Sequence, residues 1–377
     1  MLFDVAIIGA GASGLMAAAL LKDKNVCLID ANATIGAKIK VSGGAKCNIT
    51  NKYLSVHNYV GDPHFIEPIL NAFDHHALLN FLKTNGVEPK IHEKIVKGTY
   101  FCNSSNDVIA MFSRLTQHAT TFLNTTVTDV EFNEHYCIKS EHKTIEAKKL
   151  IVASGGLSYP SLGASCIAYE IAKKFGHTIK TLSPALVGFT VQREQFWFKN
   201  LSGISLDAQI QVENKVYEGS LLFAHKGCSG PLILNASLAW KKGKMVLDFL
   251  PNKKVETFLK GNRHISSALP LPKRFSLEFL QAIKVEDKPV SQLSKEELTR
   301  LHTLKHYEFS PAGNFGYTKA EVTKGGIHTD EIEGKTLQSL FQKDLYFLGE
   351  CLDVTGELGG YNFQFAFASA VVCTQKI

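Results

Sequence analysis

The chain has 377 residues, of which 45% are hydrophobic and 20% charged, and its formal net charge is +6. This is globular composition with apolar material for two or three domains, and no run of about 18 apolar residues is present, which excludes a membrane-spanning helix. The basic residues are scattered with no block of five like charges, which reads as an ordinary basic surface and argues against a nucleic-acid partner. Residues 1–22 are apolar but carry Asp4 and a glycine-rich loop and lack a basic leader, so they read as part of the fold rather than a signal peptide. The eight cysteines (27, 47, 102, 137, 166, 228, 351, 373) show no CxxC and no framework spacing. They read as reduced thiols of a cytoplasmic protein. The 14 histidines give no metal-ligand spacing, and no metal site is expected.

In chain order, "FDVAIIGAGASGLMAAALL" reads as strand, tight turn and helix, and "NVCLID" as a second apolar strand ending in Asp30. Gly9, Gly11 and Gly14 form G-x-G-x-x-G, and Asp30 follows Gly9 by 21 residues. In this pattern the first glycine permits the turn, the second lets backbone approach a pyrophosphate, and the third lets helix and strand pack closely. The helix N-terminus offers free N–H groups to phosphate, and the acid accepts from ribose hydroxyls. The motif between two apolar strands marks a dinucleotide site but leaves FAD and NAD both open.

Three further stretches favour FAD. "IGAKIKVSGGAKCNITN" (35–51) is a loop of small residues with Lys38, Lys40 and Lys46, able to cover a pyrophosphate and reach a flavin ring. "KKLIVASGGLSYPSLGASCIAYEIAKKFGHT" (148–178) reads as another strand, turn and helix. "LYFLGE" reads as a returning parallel strand with Glu350 at its carboxyl end, and "GGYNFQFAFASA" as a helix whose amino end faces the ligand crevice. A helix N-terminus carries roughly half a positive charge, suited to the anion of reduced flavin.

Between these lies a different pattern. Residues from "PALVGFTVQ" (184–192) to about 250 alternate as antiparallel strands do; "SGPLILNASLAW" reads as a helix with Pro231 in its first turn. Residues 275–307 read as helices, with Ser294 as an N-cap and Glu297 three residues on. "EVTKGGIHTD" (321–330) returns to the first pattern. The expectation is an α/β protein: 1–187 and 322–377 form the cofactor domain, and 188–321 an insert, β-rich over 188–250 and mainly helical over 270–320. No internal repeat or low-complexity segment is evident.

On "IGAGASGLMAA", "GAKIKVSGGAKCNITN", "ASGGLSYPSLGASCIAYEIAKKFGHT", "PALVGF", "FAHKGCSGPLILNAS", "EVTKGGI" and "LGECLDVTGELGGYNFQFAFASA", in order over nearly the whole chain, the sequence resembles the BaiN/YhiN-like family of FAD-dependent oxidoreductases. The resemblance implies a glutathione-reductase-like FAD-binding Rossmann domain interrupted by a β-barrel-like insert with a helical appendage. It implies cofactor contacts at Gly9, Gly11, Ala12, Ser13, Gly14, Asp30, Ala31, Lys38, Ser42, Gly43, Gly44, Cys47, Asn48, Val127, Ala153, Ser154, Gly155, Gly349, Glu350, Gly359, Gly360, Tyr361 and Asn362. Cys351 departs from the usual aliphatic residue and puts a thiol near the flavin.

Disulfide reductases of this fold carry two cysteines four residues apart. Cys47 stands alone, the next cysteine being Cys102, so it reads as a packing residue and not a redox thiol. One dinucleotide fingerprint leaves no second Rossmann domain for NAD(P)H, which is expected only as a transient reductant. His225 is the one candidate acid or base, because imidazole exchanges protons near neutral pH. The expected activity is hydride transfer between flavin and a small or medium organic molecule: reduction of a carbon–carbon double bond conjugated to a ketone, or oxidation of an amine. The alternatives are a flavin-bearing RNA-modifying protein, which the scattered lysines disfavour, and a flavin-binding protein without turnover.

Overall fold

The computed structural model describes residues 1–91 and 96–377. The chain divides into two units, one of residues 1–184 and 321–377, the other of residues 185–320. Strand β1 (Leu2–Ile8), helix α1 (Ala12–Leu20) and strand β2 (Val26–Ile29) follow the amino-terminal pattern.

The first unit is built on a seven-stranded sheet. Strand 120–122, β2, β1, strand 144–152 and strand 345–347 are parallel neighbours in that order. Strands 127–132, 136–140 and 144–152 extend one edge as an antiparallel meander. Val5–Ile8 of β1, β2, the end of strand 144–152 and strand 345–347 are unbroken apolar runs because both their faces are covered, whereas the edge strand 120–122 keeps two exposed threonines. Val5, Ala6, Ile7, Leu28, Ile29, Leu150, Ile151 and Val152 are fully buried. Each large side chain so buried contributes about 1.5–3 kcal/mol.

The register of β1 with 144–152 aligns Ile8 with Val152, and Val152 aligns with Phe347. Three segments distant in sequence therefore end at one edge. There Gly9 adopts φ +107°, and a Cβ on it would lie 2.5 Å from the Ala153 carbonyl oxygen. Gly14 crosses the same turn so tightly that a Cβ would lie 1.8 Å from the Gly9 oxygen.

The second unit contains a seven-stranded antiparallel sheet, in the order 307–309, 245–248, 205–212, 215–224, 227–229, 189–191, 311–314. Its two edge strands are separated in sequence only by Ser310, so the sheet curls back almost to closure, as a barrel does. The stretch 270–320, expected as mainly helical, begins with helices Lys273–Ala282 and Lys295–Leu301 but ends in these two strands. Pro311 and Gly313 hid the second of them, and as an edge strand it tolerates proline. Pro231 opens helix Pro231–Ala239, and Ser294 caps helix Lys295–Leu301, accepting from Glu297 N at 3.2 Å while Glu297 Oε2 accepts from Ser294 N at 2.9 Å.

The core of this unit is aromatic. Phe198 is fully buried, 4.9 Å from Phe223 edge to face and 5.5 Å from Phe309 in a stack (ring centroids). Phe198→Ala is expected to destabilise the unit by about 3–5 kcal/mol, lost transfer and cavity together. Both of the chain's tryptophans, Trp197 and Trp240, lie in this unit, so a urea titration followed by tryptophan fluorescence reads the change directly.

Candidate active site

The site grows from the carboxyl edge of the parallel sheet in the first unit. Helix α1 starts at Ala12, next to Ser13, with Gly11 as an N-cap that makes no side-chain hydrogen bond, so no cap side chain occupies its first-turn N–H groups. Ala153, Ser154 and Gly155 follow strand 144–152, and the Ala153 amide donates to Ile8 O at 2.8 Å. The Ser154 hydroxyl is buried beside this turn and has no hydrogen-bond partner among the described residues. A buried unpaired hydroxyl costs about 1–3 kcal/mol, which a ligand oxygen would relieve.

Asp30 stands at the end of β2. Its Oδ2 accepts from Ala10 N at 2.6 Å, and its Oδ1 accepts from Asn32 N at 2.8 Å and Asn32 Nδ2 at 2.9 Å. These bonds fix the carboxylate and, with two donors on Oδ1 and one on Oδ2, leave lone-pair capacity on Oδ2. Ala31 is exposed next to it. Asn124 N and Thr125 N donate to Asn32 O and Asp30 O at 3.0 and 2.9 Å, which leads buried Val127 in from the same side.

A second rim comes from residues 37–48. Helix Ala37–Ala45 breaks at Ser42, and Gly43, Gly44, Ala45 and Cys47 all have left-handed backbone. Non-glycine residues in this region store strain of about 1–3 kcal/mol each, and such strain collects at ligand sites. Asn48 opens the strand that follows. Cys47 is fully buried, as a packing residue would be. Cys47 has no cysteine near it in sequence, but the fold brings Cys102 against it, its amide donating to Cys47 O at 3.3 Å and its side chain hydrogen-bonding to Cys47. Pairing across 55 residues left no spacing to read. That hydrogen bond, with burial, pushes the Cys102 thiol well above its ordinary range.

The third rim is the carboxyl-terminal segment. A Cβ on Gly349 would lie 2.8 Å from Ser13 Oγ and 3.6 Å from Ala366 Cβ, so this residue joins the amino-terminal turn to the last helix, Tyr361–Thr374. Gly360, at φ +93°, presses on the Thr50 backbone, where a Cβ would meet Thr50 N at 2.6 Å. The Gly359 carbonyl accepts from Asn51 Nδ2 at 3.2 Å. The side chains of Tyr361 and Asn362, expected to meet the cofactor, turn inward. Tyr361 is buried against Tyr59, and Asn362 bonds both ways to Gly356, accepting at 2.8 Å and donating at 2.9 Å. Cys351 is likewise buried, donating to Leu348 O at 3.2 Å, and burial pushes its thiol up to about 12. It is a neutral, enclosed group.

At the centre, Lys38 Nζ meets Glu350 Oε2 at 2.6 Å, with side chains 34% and 18% exposed. Such partly exposed pairs contribute about 0–1 kcal/mol, so orientation is the larger effect. Glu350 Oε1 accepts from Thr323 N at 2.9 Å, and Thr323 Oγ1 accepts from Leu157 N at 2.7 Å. Two residues before Thr323, half-buried Glu321 makes no hydrogen bond among the described residues. Burial pushes its carboxyl up to about 7, against the pull of the Lys38 ammonium. Tyr159, at φ +61°, is raised by burial and by the nearby Glu321 carboxylate. Glu321 and Thr323 were not singled out from the sequence, although both lie in "EVTKGGI". His225 stands exposed in the turn after strand 215–224 of the second unit. Among the described residues no group of three His, Cys, Asp or Glu side chains is placed to hold a metal ion, and no helix is long and apolar enough to cross a membrane.

A model of the HI0933-like protein Rossmann domain family matches residues 3–376. The chain belongs to this family. It is an FAD-dependent oxidoreductase with an FAD-binding Rossmann fold. Two curated relatives are each 36% identical: the ribosomal RNA dihydrouridine synthase of Escherichia coli, over 100% of this chain and 98% of its own, and that of Haemophilus influenzae, over 98% and 97%. A third, the 3-dehydro-bile acid delta(4,6)-reductase of Clostridium scindens, is 28% identical over 97% of this chain and 96% of its own.

The residues present fit the cofactor that this HI0933-like fold implies. The uncapped α1 N-terminus and the unpartnered Ser154 hydroxyl suit phosphate oxygens, and Asp30 suits ribose. Gly11 separates ligand binding from folding, because a Cβ there meets nothing within 4 Å of protein. Gly11→Ala is therefore expected to melt within about 2 °C of the wild type when both are freed of flavin, yet to purify with little visible flavin absorbance. Gly14→Ala, which drives a Cβ into backbone, is expected to lose flavin and fold stability together.

Proposed function

We propose that this enzyme reduces a carbon–carbon double bond conjugated to a carbonyl, and that its substrate is a uracil base in ribosomal RNA. The reading is carried by one observation: relatives spanning nearly the whole chain are named for reactions of a single class. A dihydrouridine synthase saturates the 5,6 bond of uracil, which is conjugated to the C4 carbonyl; a delta(4,6)-reductase of a 3-dehydro-bile acid acts on double bonds conjugated to a ketone. The nucleic-acid partner that the scattered lysines argued against thus returns on the strength of the nearer relatives.

When bound and reduced, FAD supplies the hydride, which goes to the carbon β to the carbonyl. The chain's own residues have the remaining tasks. The broken π bond leaves an enolate whose α-carbon needs one proton. We assign it to Glu321, an acid with no hydrogen bond among the described residues, raised by burial, beside Lys38 and Tyr159. Lys38, held by Glu350, keeps positive charge near the developing enolate, and Thr323 fixes Glu350 against the 156–158 loop. NAD(P)H serves as the transient donor that restores reduced cofactor, in keeping with a single dinucleotide fingerprint.

General acid catalysis is worth about 10²–10⁴-fold. Glu321→Gln is expected to slow the oxidative half-reaction by at least about 10²-fold while anaerobic reduction by NAD(P)H stays within about twofold. The acid works protonated, so the wild-type oxidative rate should fall as pH rises through about 7, and this limb should vanish in Glu321→Gln. Stopped-flow oxidation of the reduced enzyme by uridine-containing ribosomal RNA and by a soluble enone, with anaerobic mixing of the oxidised enzyme against a panel of amines, tests the whole reading. Oxidised enzyme reduced by amines, with no turnover of RNA or enone, would sink it.

A further inference from the structure

The first unit also carries a small antiparallel sheet of strands 48–51, 99–101 and 90–91. Its tip carries an exposed aromatic ring with two lysines beside it. Lys52 N donates to Gly98 O at 2.9 Å, which brings Tyr53 and Lys97 together across the turn. The Tyr53 ring lies against Gly98, where a Cβ would come 2.6 Å from its Cδ2, yet the residue is 50% exposed. Lys97 Nζ sits 5.4 Å and Lys52 Nζ 5.9 Å from the ring centroid. An exposed aromatic face flanked by cations is chemically suited to a base with its two phosphates. Lys40, Lys46 and Lys90 are exposed on or beside the same sheet, and among the described residues none of the five lysines is in an ion pair.

This tip is tied to the site. Asn51 is fully buried, and its one side-chain amide donates to Lys97 O at 3.1 Å, Thr99 Oγ1 at 3.3 Å and Gly359 O at 3.2 Å. Asn51 Oδ1 accepts from Tyr53 N at 2.9 Å. A single buried side chain thus sets the aromatic tip against the Gly359–Gly360 turn, which opens the last helix.

We propose that Tyr53 is a stacking platform for an unpaired RNA base next to the one being reduced, with Lys52 and Lys97 on the adjoining phosphates. The assignment rests on the RNA substrate proposed above and adds where that substrate is gripped. A base inside a helix cannot reach a reaction centre, so the target must be unpaired or turned out, and its neighbour then needs a new stacking partner. Tyr53 supplies one without selecting sequence.

The test uses the full-length, FAD-loaded protein and a labelled 12-nucleotide single-stranded RNA containing uridine, followed by fluorescence anisotropy from 50 to 200 mM salt. Tyr53→Ala is expected to weaken binding about tenfold, and Tyr53→Phe to stay within about twofold, since stacking and not the hydroxyl is at issue. Lys52→Gln with Lys97→Gln should flatten the plot of log K against log salt by about 1.4. Reduction of a small soluble enone should be unchanged in all three variants, which shows that fold and cofactor are intact. Wild-type affinity in Tyr53→Ala and in the double lysine variant, or equal binding of a duplex of the same length, overturns the platform. Weakened binding in Tyr53→Ala supports it whether or not uridine is reduced. Intact binding with no reduction of uridine or enone overturns the functional reading instead.

Discussion

The parallel pairing of three strands far apart in sequence is the constraint on which the site depends. In a parallel sheet, neighbouring strands run the same way, so their carboxyl ends share one edge. Here that rule places the residues after Ile8, Val152 and Phe347 side by side. The turn at Gly9, the loop at Ala153–Gly155 and the segment at Gly349 converge with no further device. The close contacts at Gly9, Gly14 and Gly349 admit no side chain, and the result is an edge of backbone and small residues. Ligands of open α/β sheets bind at such an edge.

At this edge the charged residues are few and mutually arranged. Lys38 and Glu350 hold each other, and Thr323 fixes Glu350. Glu321 is the exception, a carboxyl that has lost solvation without gaining a hydrogen bond among the described residues. Desolvation outweighs the attraction of Lys38, and the group keeps its proton where surface carboxylates do not. Perturbed acids of this kind collect where chemistry is done.

Much of the frame could be read from residues alone. The apolar run, glycine turn and acid of residues 2–30 announced one dinucleotide-binding half, and the glycine pair before Tyr361 marked the start of the last helix. The unread parts were set by tertiary contact. Cys102 reaches Cys47 only because strands 48–51 and 99–101 pair. Tyr361 and Asn362 sit in a motif that invites a cofactor role, yet their side chains are consumed by Tyr59 and Gly356. The strands at 307–314 follow helices and contain Pro311 and Gly313, so the stretch reads as a continuation of the helical appendage. Glu321 is an acid like many others until its surroundings are known. The basic surface looked scattered because Lys52 and Lys97 are 45 residues apart.

The interruption of one unit by another has a consequence for biosynthesis. The strand at 345–347 pairs with 144–152, but residues 185–320 are translated between them. A nascent chain must therefore hold an apolar parallel edge without its final partner while the whole insert is made. Until the strand at 345–347 leaves the ribosome, that edge is open to wrong pairing or to a chaperone.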